Sequence, residues 1–150
     1  MLITTFTQIT FPEDFVKYWG LYPLLTQLKV QRNISEIKRI LDAELICGEE
    51  FLENEVFTAC GSDMMSDVLA YVKDQSVLIT GLVNPQVIRT ANMMDMVCIV
   101  FVRSKKPTDE MIELAREHGL VLMTTDKRMY DACGVLYSAG LVGNGGSSHE

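Results

Sequence analysis

The sequence predicts an α/β protein, with a single three-layer α/β/α domain and a mainly parallel sheet. Three short apolar runs carry this prediction, at residues 76–81, 96–102 and 120–125. None of them alternates polar with apolar residues, which is typical of strands that are buried on both faces. A turn and then a helical pattern follow each run, and consecutive strand–helix units build a parallel sheet covered by helices.

The chain ahead of these units is predicted to add one helix and one or two shorter strands. Ser35 is expected to cap the helix, whose apolar residues recur at helical spacing. The segments 44–47 and 55–59 are predicted as short strands that lengthen the sheet.

A further short helix is predicted over residues 64–72, capped by Ser62 or Asp63. The three longer helices each have an apolar stripe that should cover the sheet. The inward residues are predicted to be Val87, Ile88, Ala91 and Met94, then Met111, Ile112, Leu114 and Ala115, and finally Met129, Tyr130, Cys133, Leu136 and Tyr137.

The domain is expected to span residues 34–142. Residues 1–33 are predicted to be a poorly defined extension, because prolines and glycine interrupt any long element there. This extension carries Trp19, the only tryptophan. It is either an aromatic docking arm or a poorly ordered extension, or it is sequence upstream of the true start. Residues 143–150 are a Gly/Ser tail that cannot bury enough apolar surface to be ordered.

Composition and charge restrict the class of partner. A net charge of −7 and a pI near 4.8 argue against nucleic-acid binding, which normally requires a basic face. No apolar window approaches a membrane span and no secretory signal is present, so a cytoplasmic protein without a membrane contact is expected.

The cysteines and histidines predict neither a metal site nor a catalytic centre. Four widely scattered cysteines favour reduced thiols, with Cys98 and Cys133 in apolar patterns. His118 should end a helix and His149 lies in the tail, so a Ser–His–Asp arrangement is improbable. Asp63 and Asp67 share a helix face, but a hard cation usually needs more oxygen ligands. We expect no cofactor and no enzymatic activity.

Polar residues gather where the three predicted strands end. If the strands are parallel, these ends converge on the edge where ligands bind in open α/β sheets. The helices that follow also offer free backbone amides there. The predicted ligand-binding residues are Thr80, Gly81, Asn84, Ser104, Lys105, Thr124 and Thr125. The alternative is that Asn84, Thr108 and Asp126 are simply helix caps.

Five segments resemble stand-alone DRTGG-domain proteins. They are ISEIKRIL at 34–41, ICGEE at 46–50, SDMMSDVLA at 62–70, KPTDE at 106–110 and LYSAGL at 136–141. The resemblance covers residues 34–142 and implies a fold similar to the N-terminal domain of HPr kinase/phosphorylase. The chain departs from the naming motif, since Gly81-Leu82-Val83 stands where Gly-Asp-Arg is common. Likewise Val102-Arg103-Ser104 stands where Thr-Gly-Gly is common.

The resemblance implies regulation, dimer contacts and ligand sensing, not catalysis. Such domains are found inserted in regulated pyrophosphatases, and stand-alone members often accompany iron-hydrogenase genes. The first hypothesis is therefore a regulatory module that binds a small polar or nucleotide ligand at the carboxyl edge of the sheet. The alternative is an interaction module that docks on a redox enzyme of the iron-hydrogenase type or on its assembly factors.

A homodimer is also predicted. Met93 and Met96 project away from the inward stripe of their helix, with Met64 or Met65 nearby in the chain. Apolar patches on soluble proteins usually mark interaction surfaces, and a two-fold dimer is the commonest way to bury one. The alternative is that residues 1–33 cover these methionines within one chain.

Overall fold

A computed structural model describes residues 32–72 and 75–143 of the 150-residue chain. The strands are β1 Arg32–Asn33, β2 Glu44–Cys47, β3 Glu55–Val56, β4 Thr58–Gly61, β5 Ser76–Thr80, β6 Cys98–Phe101 and β7 Val121–Thr124. The helices are α1 Ile34–Ile40, α2 Met65–Tyr71, α3 Pro85–Met93, α4 Asp109–Glu117 and α5 Met129–Ser138, and a 3-10 turn spans Glu49–Phe51.

The main sheet has five strands in the order β2-β7-β6-β5-β4. The four strands from β4 to β7 are parallel, and β2 joins β7 antiparallel with a register shift between Leu45 and Cys47. The predicted α/β fold with a mainly parallel sheet is therefore confirmed. The single strand predicted over 55–59 is wrong, because the chain divides at Phe57: β3 pairs with β1 in a separate two-stranded sheet, while β4 joins the main sheet.

Two apolar clusters lie on opposite faces of the sheet and make the three layers. One places α1 and α5 over alternate strand residues such as Val77 and Ile79. The other places α2, α3 and α4 over Leu78 and Phe101. Because successive side chains of a strand point to opposite faces, an unbroken apolar run supplies both clusters at once. None of the helices within 32–72 and 75–143 is long and apolar enough to cross a membrane.

The chain also makes backbone contacts beyond these elements. Arg32 and Asn33, which the sequence assigns to the extension, form β1 and lead directly into α1. At the other end, Ala59 of β4 donates its N–H to the carbonyl of Val142 over 3.2 Å. The rest of the predicted extension, with Trp19, and residues 144–150 of the predicted tail lie outside the described residues.

Met96 lies in the core, so the prediction that it projects outward is wrong. Helix α3 ends at Met93, and Asp95 then takes a left-handed backbone conformation at φ +51°. This turn brings Met96 under the sheet with only 4% of its surface exposed. The prediction for Met96 continued the helical spacing of α3 beyond the residue at which the helix ends. Met93 is 67% exposed, as predicted.

The two tyrosines of α5 lie outside, contrary to the prediction. Tyr130 is 87% and Tyr137 66% exposed, whereas Ala132 and Leu136 are buried. The predicted stripe counted the tyrosine rings as core because they are large and apolar. The small side chain of Ala132 faces the sheet instead, between the half-buried Met129 and Cys133.

The first two helices are capped differently from the prediction. Asn33, not Ser35, caps α1, since its side-chain oxygen accepts from the N–H of Glu36 over 2.8 Å. Helix α2 has no side-chain cap. Ser62 Oγ accepts from the N–H of Met64 one residue before that helix, and Asp63 reaches a neighbouring strand end.

All four cysteines are free thiols, and burial raises the pKa of each. Cys98 is fully buried in β6, as its apolar pattern predicts, whereas Cys133 is only half-buried. Burial penalises the thiolate, so the folded state holds the Cys98 proton to higher pH than the unfolded chain does.

The buried Cys98 thiol predicts a loss of stability in alkali. A group with a raised pKa stabilises the fold below its unfolded pKa, near 9.0, and this contribution is lost as the pH rises. Above that pH the free energy of unfolding should fall by about 1.4 kcal/mol per pH unit from this thiol alone. Urea titrations at pH 7, 9 and 10 measure it. Cys98→Ala should show a shallower fall, and equal slopes would contradict the prediction.

Candidate functional site

The four parallel strands end side by side at one edge of the sheet. Thr80 pairs with Phe101, and Phe101 pairs in turn with Thr124, so the ends of β5, β6 and β7 are level. Gly61, at the end of β4, lies beside Ile79. The loops that leave these strands therefore meet at the carboxyl edge, where the sequence predicts a ligand site.

Asp63 holds the end of β5 from the loop that follows β4. Its Oδ1 accepts from the backbone N–H of Gly81 over 2.7 Å and from Oγ1 of Thr80 over 3.1 Å. Oγ1 of Thr80 accepts in turn from the N–H of Leu82 over 3.1 Å. A carboxylate that receives two donors fixes the turn between β5 and α3, because such charge-assisted bonds are stronger than neutral ones.

Lys105 continues the connection to the loops after β6 and β7. Its Nζ donates to the carbonyl of Gly81 over 2.6 Å, and its own carbonyl accepts from Oγ1 of Thr124 over 2.7 Å. Asp63, Gly81, Lys105 and Thr124 thus form a chain of hydrogen bonds across all four loops, which we call the loop belt. The belt fixes the relative positions of the loops.

Thr125 and Ser104 tie the belt to the rest of the domain. Thr125 is 2% exposed and donates its hydroxyl to the carbonyl of Leu41 over 2.8 Å. Its carbonyl accepts from the N–H of Ser104 over 2.8 Å. Both contacts are internal, so the buried hydroxyl of Thr125 shapes the edge without being presented to solvent.

Asn84 stands apart from the belt and caps α3. Its side-chain oxygen accepts from the N–H of Gln86 over 2.8 Å. Thr108 caps α4 in the same way, over 3.3 Å to the N–H of Met111. The cap interpretation is thus confirmed for these two residues. It is wrong for Asp126, because α5 begins at Met129 with Arg128 before it and no side-chain cap.

Sequence reasoning missed Arg103. Both Arg103 and Ser104 have left-handed backbones, with φ of +57° and +54°. The Arg103 guanidinium lies against Gly81, where an added Cβ would stand 2.9 Å from Nη2 and meet the side chain. A signal was available, since glycine, which adopts this backbone freely, is common at both positions in the resembling proteins.

Two cavities among the described residues lie away from this edge. One, of about 270 Å³, is lined by Cys47, Gly48, Glu49, Glu50 and Arg116 beside the start of β7. The other, of about 90 Å³, lies between β4 and α5 and is lined by Cys60 and Cys133. Neither is lined by any of the seven residues predicted to bind a ligand.

The charged side chains of the loop belt are engaged within the protein. Within the part of the chain that the structure describes, no three His, Cys, Asp or Glu residues are grouped to hold a metal ion. Asp63 and Lys105 are engaged with backbone groups. His118, the one histidine among the described residues, ends α4. The two charged side chains of the loop belt are therefore both held by the backbone of Gly81.

Comparisons with known proteins agree with this architecture. A model of the DRTGG domain matches residues 36–139. No curated protein matches the sequence. Among solved structures, the chain is similar to the CBS and DRTGG domains of the regulatory region of Clostridium perfringens pyrophosphatase, in complex with the activator diadenosine tetraphosphate. The TM-score is 0.58 at 17% identity, over 89% of this chain and 54% of the other, so this chain spans about half of that one.

Proposed function

This chain belongs to the DRTGG-domain family, and we propose that it is a regulatory module that senses a ligand and does not catalyse a reaction. The loop belt is the observation that carries the proposal. It holds four loops at the edge where ligands bind in open α/β sheets, yet it presents no acid–base pair. Fixed loops with exposed polar groups suit recognition.

The proposed ligand is a small polar molecule or a nucleotide. In this proposal Asn84 and Ser104, whose side chains are exposed, contact it directly, while Thr80, Gly81, Lys105, Thr124 and Thr125 position the loops. The similar pyrophosphatase region was crystallised with a nucleotide activator, which supports testing nucleotides first.

A thermal-shift screen tests the proposal. A ligand that binds only the native state raises the free energy of unfolding, by about 2.7 kcal/mol at a hundredfold excess over its Kd. We expect a rise in Tm with at least one of AMP, ATP, diadenosine tetraphosphate and NAD. Arg116→Gln, which alters the distant cavity, should respond as the wild type does. Absence of any shift with these compounds and a broader metabolite panel would reject the proposal.

The alternative function is a protein-interaction module that docks on a redox enzyme of the iron-hydrogenase type or on its assembly factors. The exposed rings of Tyr130 and Tyr137 on α5 favour it, since tyrosine is enriched at interfaces. The test is to measure binding of a purified redox enzyme to the wild type and to the double variant Tyr130→Ser with Tyr137→Ser. Binding that the double variant loses, together with no thermal shift for any ligand, would favour this function over the first.

We further propose that the protein is a homodimer. Met96 is buried and cannot be part of an exposed apolar patch. The adjacent helices α2 and α3 and their ends still expose four large apolar side chains, which are those of Met64, Leu69, Tyr71 and Met93. Light scattering at micromolar concentration should give twice the 16.9 kDa of one chain. Met64→Lys with Met93→Lys should give the monomer mass, because a buried charge opposes association. A mass of 16.9 kDa for the wild type, unchanged on concentration, would exclude the dimer.

A further inference from the structure

We infer that the ligand carries a phosphate group and that Arg103 is the residue that binds it. This inference rests on the proposed ligand edge and goes further, because it names the chemical class of the ligand and a residue outside the predicted set. Three features of Arg103 support it: its backbone conformation, the place of its guanidinium, and the lack of an ion-pair partner for that guanidinium among the described residues.

The backbone of Arg103 is held in an unfavourable conformation. Two successive residues with side chains, Arg103 and Ser104, have φ of +57° and +54°, a region that glycine occupies freely and other residues avoid. The turn is fixed by the N–H of Arg103, which donates to the carbonyl of Lys127 over 2.9 Å. Glycine at this position would make the fold more stable, so we attribute the presence of arginine to a role of its side chain. Strain of this kind gathers at ligand sites.

The strained turn directs the guanidinium onto the ligand edge. Nη2 of Arg103 lies so close to Gly81 that an added Cβ would stand 2.9 Å away. Gly81 does not have a left-handed backbone, and the atom that a Cβ would meet there is the end of the flexible Arg103 side chain. The absence of a side chain at Gly81 lets the guanidinium lie across the end of β5.

The guanidinium has no ion-pair or hydrogen-bond partner among residues 32–72 and 75–143. The ion pairs within the described residues are Arg32–Glu36 and Lys106–Glu44, and neither involves Arg103. Asp63 also lies against Gly81, but its carboxylate is beyond 4.0 Å from the guanidinium and already accepts two hydrogen bonds.

Arg103 is the cation of this edge that remains available to an anion. Lys105 Nζ is already held on the carbonyl of Gly81, and Lys127 adjoins the turn only through its backbone. Asp126 lies between Thr125 and Lys127 in the same turn, and no ion pair joins it to Arg103 within the described residues. The planar fork of a guanidinium matches two oxygens of a phosphate, which gives both affinity and orientation.

Isothermal titration of ATP, inorganic pyrophosphate and adenosine into full-length variants tests the inference. Arg103→Gly should weaken ATP binding at least tenfold, and Arg103→Lys should weaken it less, because it keeps the charge and loses the fork. Lys106→Gln, which removes a cation of the edge that is paired with Glu44, should bind as the wild type does. Without ligand, Arg103→Gly should melt a few degrees higher, since glycine relieves the left-handed strain.

The outcomes separate this inference from the proposed function. Equal ATP affinity of Arg103→Gly and the wild type, or adenosine binding as tightly as ATP, would overturn the role of Arg103 and leave a ligand-sensing module. A wild type that binds neither ATP nor pyrophosphate but is stabilised by an uncharged metabolite would overturn the phosphate assignment alone. A wild type that binds no compound at all would overturn both.

Discussion

Gly48→Ala is expected to destabilise the domain by about 3 kcal/mol. Gly48 has φ +93°, and a Cβ there would lie 2.9 Å from Cα of Val121 and 3.2 Å from the carbonyl oxygen of Leu120. Left-handed backbone costs a residue with a side chain roughly 1–2 kcal/mol, and overpacking adds roughly 1–3 kcal/mol. The atoms that it meets include backbone of β7, which cannot move without disturbing the sheet.

Gly134→Ala is the matched control. Gly134 lies inside α5 with no atom within 4 Å of the Cβ position, so alanine meets nothing there. Alanine should stabilise this helix by roughly 0.5–1 kcal/mol, since glycine is a poor helix former. In urea titrations the unfolding midpoints of the two variants should therefore shift in opposite directions from that of the wild type. A decrease of less than about 1 kcal/mol in the free energy of unfolding of Gly48→Ala would contradict the packing described for Gly48.

Phe101→Ala should cost roughly 3–5 kcal/mol, a large part of the total stability of a domain this size. Phe101 is fully buried in the central strand β6, in the cluster beneath α3 and α4. Its neighbours across the sheet are Thr80 and Thr124, and both side chains bind members of the loop belt. The cavity would therefore lie directly below the belt and should also weaken ligand binding.

Phe101→Leu separates volume from hydrophobicity at the same position. It keeps an apolar side chain of moderate size, so the loss should be about 1.5 kcal/mol or less. Denaturant midpoints with unchanged slopes measure both variants. A cost below about 1.5 kcal/mol for Phe101→Ala would show that the neighbouring helices close over the space.

The sheet could be predicted from the sequence because buried parallel strands have a distinct pattern. Residues 76–80 are buried without a break, and so are 98–102 and 120–125. Helix ends were harder to predict. The turn at Asp95 that buries Met96 depends on a single left-handed residue, and the exposure of Tyr130 depends on how closely Ala132 approaches the sheet. Both are settled by tertiary packing, which periodicity does not describe.

The place of the candidate site could also be predicted, but its internal contacts could not. Parallel strands bring Thr80 and Thr124 to one edge whatever their side chains do. The bond from Lys105 to Gly81 joins residues 24 positions apart, and the bond from Thr125 to Leu41 joins residues 84 apart. Such long-range pairs leave no local pattern. The left-handed backbone of Arg103 has no signature in the residue pattern of this chain, and only the glycines common at this position in the resembling proteins indicate it.

Both outer strands of the main sheet are protected against pairing with another chain. An unprotected outer strand offers a row of unpaired N–H and C=O groups to any other chain, and this leads to aggregation. Here the outer side of β4 is occupied at Ala59 by the carbonyl of Val142, and β2 is broken by its register shift at Leu45–Cys47. A bulged or covered strand is a poor template for open-ended growth. The homodimer proposed above would therefore form through helical surfaces such as α2 and α3 and not by pairing of edge strands.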